Sequence, residues 1–477
     1  MRKTKIICTI GPASENEETL KRMCEAGMNV ARLNFSHGTH EEHQKKIDLI
    51  KKVREQLGLP IAIMLDTKGT EYRIGTFENG KITVKDGDDF VFTAKEIVGD
   101  QTRVSVNYKH LAENLSEGDT ILVNNGLVSF QVVQISGDEV ACRVLTGGEL
   151  SNRKSMNFPG KVLKQEFLSE QDKQDLLFGI KNDVDFVAAS FVSTKSDLSA
   201  MRQFLDENGG ETIDLIAKIE NRSGVDCVEE ICEIADGIMI ARGDLGVEIP
   251  AIEVPSVQKY LISKCRLLGT LVITATEMLE SMINNPRPTR AELSDVANAV
   301  YDGTSAVMLS GETASGKYPV EAVKNMADTV AFTEKEIHYT KRFKDTEFTM
   351  KNNLDAISHA TCAMAIDVHA ASIVVNSLSG RTARMVSRFR CPIDILGMST
   401  YEKVWRKLNL SWGVTPVLCP KVSSMEEMFE NAVTYAKKVF SLSEGENIVL
   451  TGALETGASG NTNLIKVETV SDCRNVE

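Results

Sequence analysis

At 477 residues the chain is too long for one ordinary hydrophobic core and predicts about three domains. With 42% hydrophobic and 25% charged residues it reads as soluble and globular. Its 67 acidic against 54 basic residues, a formal charge of -13, argue against nucleic acid or an anionic membrane as main partner, but leave room for a small anionic substrate held by local basic groups.

The first segment, Met1-Arg-Lys-Thr-Lys-Ile-Ile-Cys-Thr-Ile-Gly-Pro12, has about four apolar residues before Gly11, far short of a signal-peptide core. No run reaches the length of a membrane span. Ten cysteines are scattered without a C-x-x-C pair, and Cys8, Cys142 and Cys419 lie inside apolar runs. That pattern predicts reduced, buried thiols and a cytoplasmic location.

Eight short apolar runs, at 5–10, 29–33, 61–65, 185–189, 214–219, 237–240, 271–275 and 306–309, alternate with helical patterns. Near-continuous hydrophobic strands alternating with helices predict a parallel sheet covered on both faces, and eight of them predict a closed β/α barrel. Polar clusters stand where the strands end: Arg32-Leu-Asn-Phe-Ser-His37, Asp66-Thr-Lys68, Lys218-Ile-Glu220, Arg242-Gly-Asp244, Thr274-Ala-Thr-Glu277 and Ser310-Gly-Glu312. One barrel would gather all six at the C-terminal rim, where such folds build active sites.

Between the third and fourth runs, residues 74–157 change texture to short alternating segments broken by Asp-Gly, Asn-Gly and Gly-Gly. This hairpin pattern predicts a small inserted all-β domain, placed over the rim as a lid. After 341–351, a helical 353–369 is followed by strands at 372–376, 393–396, 415–418, 447–450 and 464–467, with a helix over 424–440, which predicts an open α/β domain. The expected organisation is a barrel of 1–70 and 160–345, a lid of 71–159 and a C-terminal α/β domain of 346–477.

Glu220 and Asp244 at neighbouring strand ends form an oxygen-only pair suited to magnesium, which keeps waters and accepts phosphate oxygens. Lys218, two residues before Glu220, shares its face of the strand and supplies a fixed cation beside that site. The backbone N–H groups of Gly243 and Asp244, free at a helix start, and the Thr276 hydroxyl make a candidate carboxylate site. Arg32 and Arg73 offer bidentate contacts to phosphate. Asn34, Ser36, Asp66 and Thr67 supply neutral oxygens with one carboxylate, a set suited to a monovalent cation. His37, His40 and His43 mimic a metal cluster, but are read as solvated residues opening a helix.

The motifs Ala31-Arg-Leu-Asn-Phe-Ser-His-Gly38, Leu65-Asp-Thr-Lys-Gly69, Ala217-Lys-Ile-Glu-Asn221, Met239-Ile-Ala-Arg-Gly-Asp-Leu-Gly-Val-Glu-Ile-Pro250, Asn285-Pro-Arg-Pro-Thr-Arg-Ala-Glu292, Asp295-Val-Ala-Asn-Ala299 and Val307-Met-Leu-Ser-Gly-Glu-Thr-Ala314 resemble those of pyruvate kinase. They span the barrel in order, and the lid and C-terminal domain fit that family's plan, in the bacterial form without an extra C-terminal domain. The resemblance implies phosphoryl transfer from phosphoenolpyruvate to ADP, giving pyruvate and ATP, with Mg2+ (or Mn2+) and K+ as cofactors. By the resemblance Arg32 and Lys218 grip the phosphoryl group, Glu220 and Asp244 hold magnesium, and Gly243, Asp244 and Thr276 bind the substrate carboxylate. It also implies potassium on Asn34, Ser36, Asp66 and Thr67, with Glu71 as the acid that accompanies it. Nucleotide contacts fall on Asn34, His37, Arg73 and Lys154, and a proton path on Thr276, Ser310 and Glu312, the last two being readable also as helix caps.

In the C-terminal domain Ser377-Leu-Ser-Gly-Arg-Thr382 follows a strand and opens a helix, a phosphate-nest pattern or a plain cap. With the loop 457–463 it resembles the family's site for a sugar-phosphate effector, which assigns Ser377, Ser379, Gly380, Arg381, Thr382, Ser459 and Gly460 to that role; a homotetramer follows by analogy. Departures from the family pattern are Glu277 for a usual Gln, Thr70 for a usual Pro, Asn124-Asn125 for two acids, and Ser155-Met-Asn-Phe-Pro-Gly160 with an atypical 161–167. The expectation is an active enzyme, slowed or differently regulated by these changes. The alternatives are a catalytically impaired paralogue that binds metabolites and another magnesium-dependent barrel acting on phosphoenolpyruvate or pyruvate enolate.

Overall fold

The structure, a computed structural model, describes residues 1–161, 166–422, 424–453 and 462–471. Eight parallel strands, Lys5–Thr9, Val30–Asn34, Ala62–Asp66, Phe186–Ala189, Asp214–Ile219, Gly237–Ala241, Leu271–Ala275 and Ala306–Leu309, close into a barrel in sequence order. Side-chain direction on these strands is set by the period of two. Ile7, Val30, Met64, Ala188, Ile216, Met239, Ile273 and Met308 fill the barrel interior, while Ile6, Cys8, Ala31, Leu33, Ile63 and Leu65 pack outward under the helices.

Two residues further along the inward face stand Thr9, Arg32, Asp66, Ser190, Lys218, Ala241, Ala275 and Ser310. Apart from Ala241 and Ala275 these are polar, so the layer that closes the core is followed directly by the polar groups of the mouth. The outer helices are started by local chemistry: Thr39, Ser169 and Thr289 each cap a helix whose third residue, Glu42, Asp172 or Glu292, reaches back to the cap.

The inserted domain is a seven-stranded sheet with a two-stranded companion, and its root is the antiparallel pairing of Tyr72–Arg73 with Ser155–Asn157. Its hairpin reading needs correcting in one place. Asp89–Thr93 pairs with Arg103–Ser105 in parallel, because the connection carries the chain back along the sheet instead of turning it tightly. A short helix, Leu111–Asn114, follows. Asn124 and Asn125 take φ values of 57° and 55° ahead of Gly126, left-handed positions that asparagine tolerates better than most residues.

The C-terminal sheet runs Val414–Leu418, Asp394–Ser399, Ser372–Asn376, Asn447–Gly452, Leu464–Thr469, parallel except for the last strand. It closes the far end of the barrel: Leu410 joins the barrel's interior cluster, and Lys5 Nζ donates to Val414 O at 2.6 Å. Around that plug lies a ring of ion pairs. Arg406 Nε meets Asp185 at 2.8 Å and its Nη2 meets Asp183 at 2.7 Å; Lys407 Nζ meets Asp214 at 2.7 Å, and Arg384 pairs with Asp214 and Asp236. Among the described residues no helix is long and apolar enough to cross a membrane.

Asp185 is wholly buried, so burial pushes its carboxyl up even though Arg406 is beside it. Removing Arg406 would leave that carboxylate without its ion-pair partner, and breaking a buried pair costs about 3–5 kcal/mol. Arg406→Ala is therefore expected to lower stability by about that amount, read from denaturant midpoints and slopes. Lys341→Ala, which breaks an exposed pair with Asp345, is expected to leave the midpoint unchanged.

Candidate active site

The mouth of the barrel is organised around one carboxylate. Asp66, fully buried, takes Arg32 Nε on Oδ2 at 2.7 Å and Lys218 Nζ on Oδ1 at 3.1 Å. Burial alone would raise its pKa, but the two cations outweigh that and hold it below the usual carboxylate range. The register explains the meeting: Arg32 pairs with Met64 and Asn34 with Asp66 on adjacent strands, and Ala188 sits opposite Asp66 on the other side.

Lys218 Nζ also lies 2.9 Å from Glu220 Oε1 and donates to Ser190 Oγ at 2.7 Å. Burial opposes its charge, yet Asp66 and then Glu220 hold it protonated well above the ordinary lysine value. Glu220 is less well compensated. Its Oε2 accepts the Phe191 N–H at 2.6 Å, and the buried Oε1 meets Lys218 Nζ, a cation it shares with Asp66. Burial, with the nearby Asp244 charge adding to it against Lys218, pushes the carboxyl up to about 7. Asp244 itself is exposed on the helix Arg242–Glu248.

The candidate carboxylate site differs from expectation. Gly243 N–H is not free: it donates to Thr276 Oγ1 at 2.8 Å, and that hydroxyl donates to Ala275 O at 2.6 Å. Thr276 was brought close enough by the barrel closure to act as a local partner, something helix-start reasoning does not see. Thr276 and Glu277 have φ values of 67° and 53°, a left-handed pair of non-glycine residues costing on the order of 1–3 kcal/mol each. The exposed Glu277 adds, after burial and Glu312, to the upward shift of Glu280.

Of the monovalent-cation set, Asn34 Oδ1 accepts the Ser36 N–H at 3.1 Å, Ser36 is exposed, and buried Thr67 Oγ1 accepts the Ser190 N–H at 3.2 Å. Glu312 spends both carboxylate oxygens on backbone: Leu279 N–H at 3.0 Å and Ser310 N–H at 2.7 Å. Ser310 Oγ is buried without a partner.

Arg73 stands at the root of the lid, 2.6 Å from Glu71 and bonded to Arg153 O at 2.5 Å; Ser155 lies across the pairing from it, and the carbonyl of the half-buried Lys154 accepts the Ile74 N–H at 3.0 Å. His37 is exposed, but its neighbours correct the solvated reading of the histidine run. His43 is buried and stacked on Phe35 at 3.9 Å, with Nε2 2.9 Å from His37 O, and His40 Nε2 lies 2.6 Å from Asp175. Burial lowers the His43 pKa. No group of three or more His, Cys, Asp or Glu placed to hold a metal ion occurs among the described residues.

Between rim and lid is a cleft of about 390 Å³ bordered by Glu71, Tyr72, Ser155, Phe191, Asp244 and Glu248. Asn157 of the lid root donates to Glu248 Oε1 at 2.9 Å. Thr70 Oγ1 is buried without a partner, while the preceding Gly69 N–H is fixed by Asp172 Oδ1 at 3.0 Å.

In the C-terminal domain Ser377 is buried, Ser379 and Arg381 are exposed, and Gly380 takes φ 78° against Val404 and Leu408. Thr382 Oγ1 lies 2.6 Å from Thr462 Oγ1. Ser459 and Gly460 lie outside the described residues.

Sequence reasoning missed Ser190, Thr9 and Arg242. Ser190 and Thr9 are two residues beyond the inward-facing Ala188 and Ile7, so the strand parity held the signal. Thr9 Oγ1 accepts Arg32 Nη1 at 2.8 Å.

The mouth as built joins a cationic pair, an under-compensated buried carboxylate and a lid cleft, an arrangement for handling a phosphorylated anion. Comparison with known proteins gives the same direction. Residues 1–323 match the family model "Pyruvate kinase, barrel domain" and residues 355–468 match "Pyruvate kinase, alpha/beta domain". The pyruvate kinase of Clostridium acetobutylicum is 46% identical over 472 residues, covering 98% of this chain and all of that one. That of Geobacillus stearothermophilus is 47% identical over 477 residues, 99% of this chain and 81% of its own length. The crystal structure of a pyruvate kinase from Cryptosporidium parvum superposes with a TM-score of 0.94 at 38% identity, covering 98% of this chain and 96% of that one. With the barrel, lid and C-terminal sheet all accounted for, the chain belongs to the pyruvate kinase family and is a phosphotransferase.

Proposed function

We propose that this enzyme carries the phosphoryl group of phosphoenolpyruvate to ADP, giving pyruvate and ATP, with a divalent cation on Glu220 and Asp244 and a monovalent one beside Asp66. The observation that carries the reading is Glu220: a buried carboxylate whose cation, Lys218, is shared with Asp66, so that burial and Asp244 still raise its proton affinity. An oxygen-only pair of that kind suits Mg2+, or Mn2+ in its place. Bound there, the ion would supply Lewis-acid stabilisation of phosphoryl and enolate oxygens.

The chain's own groups do the rest. Lys218, held protonated by Asp66 and Glu220, is a fixed positive charge for the phosphoryl group and then for the oxygen that keeps the electron pair when the P–O bond breaks. Arg32 is fixed by Asp66 and Thr9, so its guanidinium meets the phosphoryl group without reorganising. The substrate carboxylate takes the Gly243 N–H in exchange for Thr276 Oγ1, and the Asp244 N–H with it. The enolate then gains a proton at its methylene carbon from solvent water, relayed through Thr276 and Ser310, with Glu312 holding the Ser310 backbone in place.

Asn34, Ser36, Asp66 and Thr67 suit K+ because Asp66 is already neutralised twice, leaving mainly neutral oxygens. Asn34, His37, Arg73 and Lys154 are assigned to the nucleotide, under the lid. The turn Ser377–Thr382 is assigned to a sugar-phosphate effector and the assembly to a homotetramer by family membership. The nine described cysteines, all free thiols, support a cytoplasmic setting.

A coupled assay of pyruvate release tests the reading. With Mg2+, K+ and ADP present, Glu220→Gln and Lys218→Met are each expected to lower kcat by about 10²–10³. Turnover without ADP would favour a lyase, and stabilisation by substrates without turnover a metabolite-binding paralogue. Unchanged kcat in Lys218→Met would remove its assigned role.

The raised Glu220 carboxyl also has a pH signature. A group whose folded pKa exceeds its unfolded value stabilises fully below the unfolded value and loses that contribution as pH rises through the folded one, here about 7. The metal-free protein is expected to melt lower at pH 8 than at pH 6, and Mg2+ to raise the melting temperature more at pH 8. Glu220→Gln should flatten both differences, as thermal melts with and without Mg2+ would report.

A further inference from the structure

Arg242 is buried in the wall of the site, directly before Gly243 and Asp244, yet no part of the reaction described above uses its side chain. Its donors are all committed. Nη2 reaches Thr276 O at 2.6 Å, Glu277 O at 3.1 Å and Met278 Sδ at 3.0 Å, and Nε reaches Thr276 O at 3.2 Å. Nη1 is anchored from behind by Asp295 at 2.7 Å and Gln258 Oε1 at 3.2 Å.

We propose that Arg242 is a positioning residue for the substrate-carboxylate site: its guanidinium clamps the carbonyls of the Thr276–Glu277 turn and so holds the Thr276 hydroxyl beside Gly243, where it meets the substrate carboxylate once that carboxylate has taken the Gly243 N–H. The proposal rests on the assignment of Thr276 and Gly243 to the substrate carboxylate. Two consecutive non-glycine residues at φ 67° and 53° do not hold that conformation by themselves, and nothing in a Glu side chain favours it. Surrounding structure has to over-determine it. The planar fork of an arginine binds two successive carbonyls at once, which the single ammonium of a lysine does not match. Because the same residue supplies the backbone leading into Gly243, it ties the ends of two neighbouring strands together, and the 2.8 Å contact between Gly243 N and Thr276 Oγ1 is the result.

The left-handed turn at Thr276 and Glu277 distinguishes a positioning arginine from a merely structural one. Glycine adopts φ near 53° without support, so Glu277→Gly should partly replace the clamp. In steady-state assays of the full chain, Arg242→Gln is expected to raise KM for phosphoenolpyruvate about tenfold or more while KM for ADP moves less than about twofold. Arg242→Lys should not rescue it, and adding Glu277→Gly to Arg242→Gln should recover a large part of the loss. Asp295→Asn, which keeps the guanidinium but weakens its anchor, should raise the same KM by about threefold, and carries the test if Arg242→Gln does not fold. The proposal is overturned if both KM values rise together, or if the double variant regains melting temperature but not affinity for phosphoenolpyruvate. Thr276→Val separates the two layers: no change in that KM sinks the carboxylate-site assignment, whereas a rise there with none in Arg242→Gln sinks only the clamp.

Discussion

The bidentate use of Asp66 is the constraint on which the mouth of the barrel depends. One buried carboxylate holds Arg32 on one oxygen and Lys218 on the other, fixing two cations from non-adjacent strands at the point where the apolar core ends. Burial by itself disfavours the Lys218 charge, and Asp66 is the largest of the groups that restore it. Lys218 then leaves Glu220 only partly compensated, because its strongest partner is Asp66. The under-compensated acid, with Asp244 beyond it, is what a divalent cation would complete.

That polar layer stands on packing. The interior residues from Ile7 to Met308 fill the barrel, and Leu410 from the C-terminal domain stops the opposite end. Charged groups ring the plug, so the C-terminal domain is fastened to the barrel floor through Arg384, Arg406 and Lys407. The lid is tied by shorter means: the pairing at its root and the Asn157 contact to Glu248, on the same helix as Asp244. Movement of the lid root is thereby linked to the helix that carries one proposed metal ligand.

Much of this was legible in the chain. The eight apolar runs and the polar residues after them defined the barrel and its working rim, because strand parity is a local property that composition displays directly. What stayed hidden depends on which residues meet across strands. Gly243 looked free at a helix start until closure brought Thr276 to it. His43 looked solvated among Glu41, Glu42 and Gln44, but the helix turns it inward onto Phe35. Arg242 sat in full view inside a motif, and only the left-handed turn at Thr276 and Glu277, invisible in a sequence without glycine there, shows what its side chain does. Glu312 reads as a proton-path member by its neighbours, whereas its two backbone bonds make it a brace between strand ends.

The central claim is that Glu220 shares its site with a proton until a divalent cation displaces it. Calorimetric titration of the metal-free protein with Mn2+ at pH 7, repeated in buffers of different ionisation enthalpy, measures that exchange directly. The account requires proton release on ion binding at pH 7 that falls away as the pH is raised, and loss of both the release and most of the affinity in Glu220→Gln. Binding of equal affinity in that variant, or binding to the unaltered chain with no proton released at pH 7, would contradict it.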